Sequence, residues 1–93
     1  MSLQKNSEVR RLKATLRGAV QGVGFRPFVY RLANELDLKG RIANTPQGVV
    51  LEVEGPFHEL RAFLSRVAAE KPPRSFIESI ETSYLDPKGY QNF

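Results

Sequence analysis

The chain has 93 residues, enough for one domain whose core sits near the small end of what folds without covalent staples. It contains no cysteine, which excludes a disulfide framework, a thiolate nucleophile and a cysteine-based metal site, and no apolar run long enough for a membrane span or a secretory h-region. Its net charge of +4 is uneven: residues 1–48 carry nine Lys/Arg against three Asp/Glu, residues 49–93 five against seven. The positive field that draws in a small anionic partner therefore falls on the first half, although a solvated, unevenly charged surface explains it equally well.

Residues 1–8 are polar and are expected to be disordered or a remnant of expression, so the domain is taken as 9–93. From Leu12 to Val20 apolar and polar residues alternate with period two, which predicts a half-exposed strand. Gly18-Ala-Val-Gln-Gly-Val-Gly-Phe-Arg-Pro-Phe28 follows as a glycine-spaced loop opening a helix. Phe28, Val29, Leu32, Ala33 and Leu36 form one apolar stripe, Pro27 is placed in the first helical turn, where a missing N–H costs nothing, and Gly40 is read as the stop. Arg41–Asn44, the turn Thr45-Pro46-Gln47-Gly48 and Val49–Glu54 read as a β-hairpin. Gly55-Pro56 opens a second helix carrying Leu60, Phe63, Leu64 and Val67 on one face, and Lys71-Pro72-Pro73 ends it. Phe76–Tyr84 returns as a strand in which Ile77 and Ile80 break the alternation, so a bulge is expected. After the turn Asp86-Pro87-Lys88-Gly89, Tyr90–Phe93 reads as the first half of a further strand, cut short as in a fragment of something longer. The order β-α-β-β-α-β predicts an α+β ferredoxin-like sandwich: an antiparallel sheet with two helices on one face.

The glycine loop carries the chemistry. Gly22 and Gly24 permit φ > 0 and close ligand approach, while loop amides and the helix N-terminus face an incoming anion. Arg26 adds a planar, charged fork. The pattern is not a Walker A motif, because no Lys-Ser or Lys-Thr follows the glycines. Nor is it a dinucleotide fingerprint, because Pro27 stands where the third glycine would be. An RNA-binding module on this fold would place aromatics on the central strands, where Val49–Glu54 offers glutamates, so no nucleic-acid partner is expected. His58 reads as a surface residue, and Phe25 and Phe28 as core. Taken singly, the glycines fit a tight connection, Arg26 a surface cation and Asn44 a turn-former.

Val20-Gln-Gly-Val-Gly-Phe-Arg26, with Gly40-Arg-Ile-Ala-Asn44 and Gly48-Val-Val50, resembles the two signatures of the acylphosphatases. Arg26-Pro-Phe-Val-Tyr-Arg-Leu-Ala33 and Pro72-Pro-Arg-Ser-Phe-Ile-Glu-Ser-Ile80 are more similar to the amino-terminal domain of the HypF family of hydrogenase-maturation carbamoyltransferases than to free-standing acylphosphatases. The resemblance implies hydrolysis of the carboxyl-phosphate bond of acyl phosphates, with carbamoyl phosphate the substrate in the HypF setting. By the same resemblance Arg26 binds the phosphoryl group and Asn44 positions the attacking water, while the amides of Gln21, Gly22, Val23, Gly24, Phe25 and Arg26 form the cradle. The implied setting is cytoplasmic, among other domains of a larger chain and hydrogenase-maturation proteins. No metal or other cofactor is expected in this chain; zinc and ATP belong to regions of the larger proteins that it does not contain. A non-catalytic role in binding or delivering carbamoyl phosphate, and a free-standing acylphosphatase, remain the alternatives. No carboxylate lies in either motif, so a phosphate oxygen of the substrate is expected to take the proton of the attacking water.

Overall fold

Strand β1 (Val9–Ala19) is the frame of the domain, because it pairs antiparallel with a partner on each side. A computed structural model describes residues 8–93 and orders the elements after β1 as α1 (Phe25–Glu35), β2 (Lys39–Thr45), β3 (Gly48–Pro56), α2 (Phe57–Glu70) and β4 (Phe76–Leu85). Apart from Glu8, the residues expected to be disordered lie outside the described residues. The sheet order is β2-β3-β1-β4, with every neighbouring pair antiparallel.

The alternation read in β1 sends Leu12, Ala14 and Leu16 into the core, and β3 matches it with Val49, Leu51 and Val53. Phe25, Phe28, Val29, Leu32 and Ala33 of α1 and Leu60, Phe63 and Val67 of α2 join the same cluster. Both helices therefore cover one face of the sheet, as the element order predicts. The expected bulge is present, as a register shift between Arg17 and Gly18 where β1 meets β4. Phe25 and Phe28 lie in the core, and the side chain of His58 is exposed.

Two local readings are corrected, at Gly40 and at Tyr90–Phe93. The first helix starts at Phe25, with Gly24 as N-cap, so Pro27 lies in the first helical turn, as its sequence position suggests. A missing N–H is harmless there, since no residue of the first turn has an intrahelical acceptor. Gly40 does not stop that helix. The Asp37 amide bonds Asn34 O at 3.1 Å and the Leu38 amide bonds Ala33 O at 2.8 Å, with Asp37 left-handed at φ 57°. That is a Schellman termination, sealed by the buried Leu38. Gly40 lies inside β2, where a Cβ would collide with the Glu52 backbone carbonyl. Gly55 and Pro56 end β3, and Pro56 caps the start of α2, as the sequence reading has it.

The second correction concerns Tyr90–Phe93, which forms no strand. One backbone bond, from the Gly40 amide to Asn92 O (2.9 Å), docks the segment on the free edge of β2. Side chains hold it instead. The Glu54 carboxylate accepts the amides of Lys88, Gly89 (3.1 Å) and Tyr90 (3.0 Å), and Glu52 accepts the Tyr90 hydroxyl at 2.9 Å.

Candidate active site

The loop between β1 and α1 is pinned at both ends by core side chains, Val20 and Phe25, each about 1% exposed. Between these anchors Gln21, Gly22 and Gly24 are exposed, and Val23 is half-buried against the core. Gly22 (φ 74°) and Gly24 (φ 81°) are left-handed, a conformation that costs a residue with a Cβ about 1–2 kcal/mol. A Cβ built at either position meets nothing within 4 Å. Glycine is thus required by the backbone angle, and the space above it stays open.

The first amide bonded inside α1 is that of Phe28, donated to Gly24 O at 3.3 Å. Helix geometry leaves the amides of Gly24, Phe25 and Arg26 ahead of it without intrahelical acceptors. The first turn holds no acidic residue and no side-chain cap, so nothing within the helix offsets its positive end.

A cleft of about 300 Å³ opens over these amides, lined by Val20, Gly22, Gly24, Phe25, Arg26, Pro27 and Asn44. Arg26, in the first turn of α1, is exposed and takes no part in the ion pairs among the described residues. Asn44 arrives from the end of β2. Its register partner is the buried Val49, which places it on the helix-bearing side of the sheet. The fold thus brings Arg26 and Asn44 together across the gap between α1 and β2.

The six cradle residues do not contribute alike. Gly22, Gly24, Phe25 and Arg26 line the cleft, whereas Gln21 and Val23 do not. The ring of Phe25 packs edge-on against Phe28, 5.8 Å away, which leaves only its backbone for a ligand. The Gln21 amide group donates to Thr45 O (2.9 Å) and Gly48 O (3.0 Å), tying the loop to the β2–β3 turn beside Asn44. The turn is stiffened in its own right, since the Thr45 hydroxyl donates to Gly48 O (3.0 Å) and accepts the Gln47 amide (3.2 Å). Val20 and Pro27 are the lining residues that chemistry-led reading passes over. Their signal is positional, as the apolar residue directly after β1 and the donor-free residue of the first helical turn. Among the described residues, no group of three or more His, Cys, Asp or Glu side chains is gathered as metal ligands would be.

The acylphosphatase family profile matches residues 12–93. This chain belongs to the acylphosphatase family. It is 38% identical over 86 residues to an acylphosphatase of Thermotoga petrophila, covering 91% of this chain and 94% of that one. It is also 44% identical over 93 residues to the carbamoyltransferase HypF of Rhizobium leguminosarum bv. viciae, covering the whole of this chain but 12% of HypF. The chain thus spans about an eighth of that relative's length. Among solved structures it superposes on full-length HypF in its phosphate- and nucleotide-bound form, with a TM-score of 0.90 and 34% identity, over 94% of this chain and 12% of that one. An acylphosphatase from Coxiella burnetii gives a TM-score of 0.84 at 28% identity, covering 97% and 93% of the two chains. Both kinds of acylphosphatase relative, free-standing and embedded, are thus similar to this domain, and the hydrolase class holds for the family they share.

Proposed function

We propose that this acylphosphatase domain hydrolyses the carboxyl-phosphate bond of a small acyl phosphate in the cleft between α1 and β2, with carbamoyl phosphate as its substrate and a HypF-type carbamoyltransferase of hydrogenase maturation as its setting. The observation that carries the reading is the meeting of Arg26 and Asn44 over the unpartnered amides of the glycine loop. The phosphoryl group lies on the loop amides that face the cleft, those of Gly22, Gly24, Phe25 and Arg26, and the Arg26 guanidinium engages its equatorial oxygens. The Asn44 carboxamide oxygen accepts a hydrogen bond from a water and holds it in line with phosphorus. Water oxygen bonds to phosphorus as the phosphorus–acyl oxygen bond breaks. The bonding pair leaves on the carboxylate or carbamate, and the water proton passes to a phosphate oxygen. The leaving group is already a weak base, so positioning and charge neutralisation carry the catalysis.

Similarity to long relatives such as the Rhizobium carbamoyltransferase HypF supports the HypF setting, and in this reading the domain works in the cytoplasm beside further domains and maturation proteins. Zinc and ATP are assigned to those other domains, and this cleft is assigned no cofactor. The coverage of the Thermotoga acylphosphatase supports a free-standing enzyme with the same cleft. The test is steady-state hydrolysis of carbamoyl phosphate and acetyl phosphate by the wild type, Arg26→Ala and Asn44→Ala. Loss of a bidentate, charge-assisted pair at about 1.5–3 kcal/mol per bond is expected to cost Arg26→Ala about two to four powers of ten. Asn44→Ala is expected to lose turnover yet keep competitive inhibition by inorganic phosphate. A wild-type rate no faster than buffer would refute hydrolysis and leave the binding role.

A further inference from the structure

Two buried carboxylates take no part in the chemistry above. Glu52 and Glu54 project from β3 on the face of the sheet away from the helices, where strand alternation predicts solvated side chains, yet each is only 4% exposed. Residues 86–93 cover them. This segment leaves β4 at one edge of the sheet and touches every element on the way to the other. Arg11 of β1 donates its Nε to Asp86 O at 3.0 Å, and the amides of Lys88, Gly89 and Tyr90 close around the Glu54 carboxylate. The Tyr90 hydroxyl and Arg11 Nη1 both reach Glu52 Oε1, at 2.9 and 3.0 Å. Asn92 O then accepts the Gly40 amide at the free edge of β2. The Phe93 ring ends edge-on against Tyr30 of α1, with centroids 5.0 Å apart and planes at 87°.

The strap therefore joins α1 to β2, the two elements that carry Arg26 and Asn44. Tyr30 lies one helical turn from Arg26, and Gly40 lies on the same strand as Asn44. Among the described residues, only the Gln21 bonds, besides packing, brace the loop to the β2–β3 turn at the site itself. We infer that residues 86–93 form a positioning strap that sets the spacing of Arg26 and Asn44 across the cleft, with Glu54 and Phe93 as its positioning residues; this rests on the acyl phosphate reading given above.

Turnover and phosphate binding depend on the strap differently. The phosphate cradle is made of contiguous residues, 21–26, and moves as one body when the gap changes. The water held by Asn44 belongs to the other side of the gap and loses its line to phosphorus. Releasing the strap thus lowers kcat while leaving inhibition by phosphate intact.

The experiment measures kcat for acetyl phosphate and the competitive inhibition constant of inorganic phosphate in the wild type, Phe93→Ala, Phe93→Tyr and Glu54→Gln, at a temperature where circular dichroism shows each folded. A misplacement of about 1 Å at a reacting centre costs about 100-fold, so a partial release is expected to lower kcat about tenfold in Phe93→Ala and Glu54→Gln. Phe93→Tyr keeps the ring and is expected to keep the wild-type kcat, and the phosphate constant is expected to stay within about twofold throughout, since no cradle contact changes. Phe93 is half-buried at the margin of the core and lies at the end of the segment, so its variants test the idea even if Glu54→Gln fails to fold. An unchanged kcat in folded Phe93→Ala overturns the strap while hydrolysis stands. A parallel loss of phosphate inhibition also overturns it, because the strap would then be shaping the cradle. Absence of hydrolysis in the wild type removes the acyl phosphate reading and the strap's role with it.

Discussion

Replacing Gly24 by alanine separates what its backbone angle does from what the space above it does. At φ 81° the residue is left-handed, and placing a Cβ there costs about 1–2 kcal/mol. No steric term is added, because the Cβ meets nothing within 4 Å. In a domain of this length each kcal/mol moves the midpoint of unfolding by about 4–8 °C, so Gly24→Ala is expected to unfold about 4–16 °C below the wild type. The methyl group also enters the space above the cradle, so competitive inhibition by phosphate is expected to be lost. Gly24→Asn sharpens the comparison, since asparagine tolerates the left-handed region: much of the lost stability returns while phosphate binding stays lost. Thermal melts followed by far-UV circular dichroism, with acetyl phosphate hydrolysis measured on the same samples, read both quantities. A Gly24→Ala midpoint within about 2 °C of the wild type would refute the strained-backbone argument. Undiminished phosphate inhibition in that variant would show that the anion does not lie over Gly24.

Two further outcomes are expected. Gln21→Ala removes two side-chain bonds to the β2–β3 turn and is expected to lose about 1–3 kcal/mol in denaturant unfolding; a midpoint equal to the wild type would show the tie to be energetically idle. At Glu52 burial alone would raise the carboxyl pKa. The Tyr90 hydroxyl and Arg11, with the charge of Lys88, outweigh that effect and hold it below the ordinary 4.5. A folded pKa below the unfolded one contributes stability above about pH 4.5 that is lost as pH falls through the folded value. The stability gap between the wild type and Glu52→Gln is therefore expected to be widest near neutrality and to narrow in acid. A gap that does not change between pH 6 and pH 3 would refute the assignment.

Much of this architecture is legible in the chain because local and tertiary signals agree. The alternation of Leu12, Ala14 and Leu16 and the stripe Leu60–Phe63–Val67 each point at the core they occupy. The irregularity at Ile77 and Ile80 coincides with the register shift opposite Arg17 and Gly18. Legibility fails where a distant segment decides the outcome. Glu52 and Glu54 obey the polar half of a strand pattern, and only the return of residues 86–93 buries them. Gly40 looks like a helix stop because glycine commonly is one, but here Asp37 takes the left-handed position and Gly40 makes room for the Glu52 carbonyl. At the cleft, Arg26 and Asn44 are readable as residue types in a spacing. That the Gln21 side chain braces the hairpin instead of facing the cleft follows only from the tertiary position of Thr45 and Gly48.

The lining of the cleft is also notable for its proton inventory. Val20, Gly22, Gly24, Phe25, Pro27 and Asn44 carry no exchangeable charge, and the remaining member is an arginine, a side chain that keeps its charge in proteins. A pocket so composed has no buffer of its own. On the proposed reading, acidity reaches the reaction through the ionisation of the acyl phosphate's phosphoryl group and not through the lining of the cleft. The same reading puts control of the step in substrate supply or in movement of the walls, since the residues that line the cleft give local pH no handle.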